Sequence, residues 1–223
     1  MKEPVILFQD NLRYAVPNLL LGDIVCTVTN SEYNQELWDE IKAYETELRE
    51  KLKIESVKHI PTIKATREAY KSCGKDPNRY RPSAEQLNRR ILQGKELYHI
   101  STLVDLINLV SLKTGYSIGG FDYESVAGEL KYGIGQTNEK YEGIGRGKLN
   151  IEGLPVLRDE LGGIGTPTSD EIRTRIRGNS RLLLMNINAF DGDTDRLNDT
   201  INWSVALLKK YVSAEIHFLT VNR

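Results

Sequence analysis

Apolar residues recur along this chain at two spacings, and the switches between them divide it into strands and helices. Residues 4–8 form a short apolar run, and residues 19–28 a longer one rich in β-branched side chains; both read as strands. From 34 to 52, Leu37, Ile41, Tyr44, Leu48 and Leu52 return every three or four positions beside a face rich in Glu and Lys. That is the pattern of an amphipathic helix resting on a sheet. Residues 54–61 break the period. Residues 62–72 read as another helix, with Lys64, Arg67 and Lys71 on one side and Gly74 as its stop.

The stretch from 76 to 122 organises the rest. Asp76, Pro77 and Asn78 have the chemistry of a turn. Pro82 and Ser83, with Gln86 three residues on, predict a helix start of the capping-box type, in which the Ser and Gln side chains satisfy free N–H groups at the helix start. Leu87, Ile91 and Leu92 supply its apolar face, Arg89 and Arg90 point elsewhere, and Gly94 ends it. Residues 101–113 predict a second helix, apolar almost all round and therefore buried, interrupted by Asp105 and Asn108. Gly115 stops it, and 116–121 leave it as a strand. Beyond Asp122 the chain is β-rich, with strands expected at 130–134, 140–144, 153–157 and 181–189. A helix opened by Asp195 and Asn198 runs to Tyr211, and 214–221 close as a strand. These last elements predict a β-α-β unit, for which a right-handed crossover is expected. No repeat and no low-complexity linker divides the chain, so a single α+β domain over 1–223 is expected.

Composition narrows the function classes. The chain has 39% hydrophobic and 27% charged residues, ordinary values for a soluble globular protein. Its 30 Lys and Arg against 31 Asp and Glu leave a net charge of −1, so a nucleic-acid partner requires a local basic patch. No apolar run reaches membrane-spanning length, and 1–11 lack the apolar core of a signal peptide. Cys26 and Cys73 are far apart and outside any CxxC pair, which fits a reduced, cytoplasmic protein. His59, His99 and His217 have no Cys or carboxylate at ligand spacing, so neither a metal nor a cofactor is expected. No GxSxG elbow is present.

Three local features remain. Arg67, Lys71, Lys75, Arg79, Arg81, Arg89 and Arg90, interleaved with Tyr70 and Tyr80, can hold RNA phosphates while the tyrosines stack on bases; a solvated charged face is the plainer alternative. Arg173, Arg175 and Arg177 form a second basic group. Residues 142–150 carry Gly143, Gly145, Gly147 and Lys148 without Walker A spacing, and read as a hairpin tip. In 162–170, Gly162, Gly163 and Gly165 precede Thr166, Thr168 and Ser169. This run is either a turn closed by a Thr or Ser side chain, or a loop whose backbone N–H groups approach a ligand.

The ordered set Pro82, Ser83, Val104, Asp105, Asn108, Gly115 and Asp122 closely resembles the B3/B4 domain of the bacterial phenylalanyl-tRNA synthetase β subunit, and more closely stand-alone proteins made of that domain. The likeness covers about 65–190 and leaves 1–60 as an N-terminal strand–helix extension. It implies a B3/B4-like α+β fold with a mixed or antiparallel sheet flanked by helices. It also implies an editing-type protein that binds the aminoacylated 3′ end of tRNA and hydrolyses mischarged aminoacyl esters by a positioned water. The alternative is a non-catalytic module for RNA or an amino-acid-like small molecule. The chain is too short for a complete tRNA ligase. By resemblance Asn108 lies at the pocket, with Gly119, Gly120, Gly163, Gly165, Thr166, Thr168 and Ser169 as further lining; from the basic set, Arg67, Lys71, Arg79, Arg81, Arg89 and Arg90 are the expected RNA contacts. The family pattern places His where this chain has Gly119, which leaves no named base and makes room for a different side chain. The pocket Glu of the family is also missing, and Asn186 or Asn188 is the nearest polar residue.

Overall fold

A computed structural model describes residues 3–223. In chain order the elements are β1 (Ile6–Phe8), α1 (Asp10–Ala15), β2 (Leu20–Thr27), α2 (Gln35–Lys51), α3 (Pro61–Ser72), α4 (Ser83–Leu92), α5 (Thr102–Thr114), β3 (Ser117–Asp122) and β4 (Leu130–Ile134). Then follow β5 (Glu142–Gly143), β6 (Gly147–Lys148), β7 (Pro155–Asp159), β8 (Gly162–Thr166), β9 (Ser169–Asp170), β10 (Leu182–Ala189), α6 (Thr194–Val212) and β11 (Glu215–Asn222). The class is α+β, with both parallel and antiparallel pairing.

Two sheets and a helical layer stack on one another. One sheet has the order β11-β2-β10-β3 and is wholly antiparallel. The other runs β1-β4-β7-β8-β9, with only the β1–β4 pair parallel. Strand alternation divides the core between them. On β2 and β10, Leu20, Ile24, Cys26, Leu183, Met185 and Ile187 pack against α2, α5 and α6. The alternate residues Leu21, Val25 and Leu184 meet Tyr132 of β4, Leu157 of β7 and Ile164 of β8 between the sheets. β2 is thus an inner strand, supplied by the N-terminal segment. β10 and β11 both run antiparallel to β2 and so are parallel to each other, with β2 between them; α6 joins them as the expected β-α-β connection.

Local chemistry explains most element ends. Asn34 caps α2 by accepting from Leu37 N–H at 3.0 Å. Gly115 ends α5 in the left-handed region at φ 72°, and a Cβ there would lie 2.3 Å from Thr62 Oγ1, so glycine is required twice over. Three expectations change. The capping box at Ser83 does not form, because Ser83 is already helical and its N–H donates to Pro167 O at 2.7 Å; Gln86 instead donates to Arg81 O at 2.7 Å. The strand expected at 140–144 shrinks to β5, which pairs with β6 as a two-stranded hairpin tip. The last helix is capped by Asp193, which accepts from Arg196 N–H, rather than opened at Asp195 or Asn198.

Candidate functional site

A cleft of about 740 Å³ opens where α4, the α4–α5 loop, α5 and the edge strand β3 face the β8–β9 turn and the β5–β6 tip. Its lining carries five cations, Arg81, Arg89, Arg90, Lys95 and Arg146, and one carboxylate, Asp170. For a chain of net charge −1 that is a concentrated basic patch. Asn108, Ser111, Ile118, Thr166, Thr168 and Ser169 complete the inner wall.

The two polar interruptions of α5 have different jobs. Asp105 is buried, and its carboxylate accepts from Trp38 Nε1 at 2.9 Å and Ile100 N–H at 3.0 Å, with His99 Nδ1 2.7 Å away. It is a structural tie for the α4–α5 loop. Asn108 is half-buried on the cleft wall, and its amide makes no hydrogen bond among the described residues. Of the expected pocket residues, Thr166, Thr168 and Ser169 reach the cleft with it, but their hydrogen bonding is largely internal. Thr166 Oγ1 accepts from Thr168 N–H at 3.2 Å and Ser169 N–H at 3.1 Å, which closes the β8–β9 turn. Thr168 Oγ1 pairs with Tyr70 Oη at 2.8 Å. The 162–170 run is therefore a hairpin closed by a threonine, not a loop offering free N–H groups.

None of the four expected glycines Gly119, Gly120, Gly163 and Gly165 lines the cleft. A Cβ on Gly120 would lie 2.7 Å from Ile107 Cδ1, and one on Gly163 would lie 2.9 Å from Tyr141 Cδ2. Gly119, on the same strand β3 as Phe121, and Gly165, on β8 of the other sheet, both face the Phe121 ring; a Cβ on either would lie 2.6 or 2.5 Å from Phe121 Cζ, and 3.4 or 3.3 Å from Asp170 Oδ1. The space that the missing histidine was expected to leave is thus taken up by Phe121. What remains there is a void of about 10 Å³, lined by Gly119, Gly165, Phe121, Tyr132, Asp170 and the two asparagines Asn186 and Asn188, about the size of one water. Asn188 accepts from Tyr132 Oη at 2.6 Å, and Asn186 donates to Asp23 at 2.6 Å, so both serve the inter-sheet layer.

Asp170 lines both spaces, one residue beyond the expected pocket residue Ser169. One carboxylate oxygen accepts from Gly120 N–H at 3.0 Å. Burial pushes its pKa up to about 7, and that single hydrogen bond offsets only part of the rise. No periodicity marks a two-residue strand, so nothing local told which of Ser169 and Asp170 faces inward. The cysteines are no rivals: burial pushes Cys26 up to about 12 and Cys73 to about 11, which keeps both as thiols.

The basic residues divide by what surrounds them. Arg81, Arg89 and Arg90 reach the cleft. Arg67 does not: its guanidinium donates to buried Glu85 at 2.8 Å, to Pro77 O at 3.2 Å and to Asn78 at 2.7 Å, so it braces the turn ahead of α4. Lys71 and Arg79 are exposed but lie outside the cleft lining. Lys95 and Arg146, absent from the expected set, join it from the α4–α5 loop and the β5–β6 tip. Among the described residues no group of three or more His, Cys, Asp or Glu could hold a metal ion, and no helix is long and apolar enough to cross a membrane.

Residues 65–206, well over half of the chain, match the B3/4 domain family. The chain belongs to the B3/4 domain family. The likeness carried by Pro82, Ser83, Val104, Asp105, Asn108, Gly115 and Asp122 is thus one of family. Among solved structures, an N-terminal fragment of the phenylalanyl-tRNA synthetase β subunit from Pyrococcus horikoshii is similar over 100% of this chain, at 10% identity and a TM-score of 0.48. The B3/4 chain spans 55% of that fragment. No curated protein matches it.

Proposed function

We propose that the cleft takes the aminoacylated 3′ end of tRNA and hydrolyses the ester of a mischarged amino acid, with Asp170 as general base. The observation that carries this reading is the Asp170 carboxyl, held by Gly120 N–H in the wall of a cleft whose other charges are all cationic, where burial raises its pKa. The cations hold phosphates of the RNA end. Asn108, with its amide unengaged, holds a polar group of the amino acid. Water attacks the ester carbonyl carbon while the Asp170 carboxylate takes its proton. The tetrahedral intermediate then breaks the bond to the ribose oxygen, which takes the proton from Asp170 as it leaves, so that free amino acid and tRNA result and the carboxylate is restored. The charge on the intermediate falls to the cationic wall, since the N–H groups of Thr168, Ser169 and Gly120 already have acceptors.

Those engaged N–H groups favour one second reading, a non-catalytic site for an amino-acid-like ligand. Release of amino acid from tyrosyl-tRNA(Phe), and then from a panel of mischarged tRNAs, separates the two. Asp170→Asn is expected to lower turnover by about 10²–10⁴-fold, the usual contribution of a general base, and Asn108→Ala to weaken substrate use. Folded wild-type protein that turns over no substrate eliminates the hydrolase and leaves the binding site.

A further inference from the structure

The α4–α5 loop leaves two large side chains, Tyr98 and Ile100, open to solvent. Tyr98 is 56% exposed and Ile100 60%, and both line the cleft. Such residues on a slack loop would mean little, but this loop is pinned. Leu97 is buried in the helical core, and its N–H donates to the buried carboxylate of Glu45 at 2.7 Å. The N–H of Ile100 donates to Asp105 at 3.0 Å. Between these anchors Tyr98 has little freedom to turn inward.

The ring is also braced from its own side. The guanidinium carbon of Arg90 lies 3.5 Å from the Tyr98 ring centroid, and Arg90 Nε donates to Glu96 O at 2.6 Å, which holds the guanidinium in place. More than half of the tyrosine remains open with Arg90 against it. A rigid, open aromatic ring among cations has the chemistry of a stacking site for a nucleobase whose phosphates the cations hold.

We infer that Tyr98, braced by Arg90, is the stacking platform for the terminal base of a single-stranded RNA end entering the cleft. This deepens the reading of the cleft as an RNA-end site and rests on it. The platform selects for a base as such, through its π face, while Arg81, Arg89 and Lys95 attract the backbone.

The test measures binding of two short single-stranded RNAs by fluorescence anisotropy, one ending in CCA and one identical but lacking the terminal base. Wild-type protein is expected to bind the complete RNA about tenfold more tightly. Tyr98→Ala removes that difference while leaving the abasic RNA bound as before, and Tyr98→Phe keeps it. Equal binding of both RNAs by wild type, or equal weakening of both by Tyr98→Ala, overturns the platform and leaves the RNA-end reading standing. If wild type binds neither RNA, the RNA-end reading itself falls, and the platform with it.

Discussion

Asp170→Asn should make this protein more stable, and by an amount that grows with pH. Burial raises the carboxyl from an ordinary 3.8 to about 7. An acid whose folded pKa is raised binds its proton more tightly in the folded chain than in the unfolded one. Stability from this group is therefore intact below about pH 4 and is lost progressively as pH rises to about 7. Asparagine has nearly the same shape and can still accept from Gly120 N–H, but it has no charge to bury. At about 1.4 kcal/mol per pKa unit, the variant gains about 1 kcal/mol over wild type at pH 4.5 and up to about 4 kcal/mol at pH 8. The carboxyl borders the cleft, where water screens it, so a gain nearer 2 kcal/mol at pH 8 still fits. Burial also raises Asp23, to about 6, but that effect is common to both proteins and cancels in their difference. Urea unfolding of the two proteins at pH 4.5, 6 and 8 measures it. A stability difference that is flat with pH, or a variant less stable at pH 8, would refute a carboxyl kept near neutrality, and general-base chemistry at Asp170 with it. The expected pairing of a more stable protein with lost turnover is the trade that a functional site makes.

Other outcomes follow from the same contacts. Glu85 is fully buried and accepts from Arg67 and Arg89, both at 2.8 Å; Glu85→Ala leaves Arg67 without its partner and should lower the urea-derived stability by about 3–5 kcal/mol. A loss below 1 kcal/mol would show that Arg67 is held by Pro77 and Asn78 alone. Gly119→Ala drives a methyl into the Phe121 ring and should cost about 1–3 kcal/mol in thermal unfolding, with part recovered in Gly119→Ala/Phe121→Leu; an unchanged Tm would mean that the ring moves aside freely. Lys95, with no ion-pair partner among the described residues, is free to meet a phosphate. Lys95→Ala should reduce the salt slope of RNA binding by about 0.7, and a slope equal to wild type would remove Lys95 from the contact.

Much of the fold was legible along the chain, and much less of the site. Periodicity located α2, α5, β10 and β11 to within a residue or two, because each buries a long face whose spacing is written in the chain. Glycines marked the ends of α4 and α5, because an L side chain resists the left-handed backbone there. Asn108 stood out as a polar residue on an apolar helix. Arg67 and Arg89 looked alike, however. Glu85 lies 18 positions from the first and four from the second, and only packing made it the partner of both.

The chain alone determined which helix and strand faces are apolar and must be buried, where the backbone turns, and the family likeness that runs through Pro82, Asn108 and Gly115. Those follow from local sterics and from hydrophobic spacing, which act over a few residues. Tertiary structure decided the rest. It set Asp170 of a two-residue strand against Gly120 of the facing sheet edge, filled the space beside Gly119 with Phe121, and used up the N–H groups of 166–169 in a threonine-closed turn. It also brought Lys95 and Arg146, from separate loops, to the rim of one cleft. A pKa depends on the water excluded around a carboxyl and on the donors that reach it. For Asp170 both come from segments distant along the chain, so its chemistry exists only in the folded molecule.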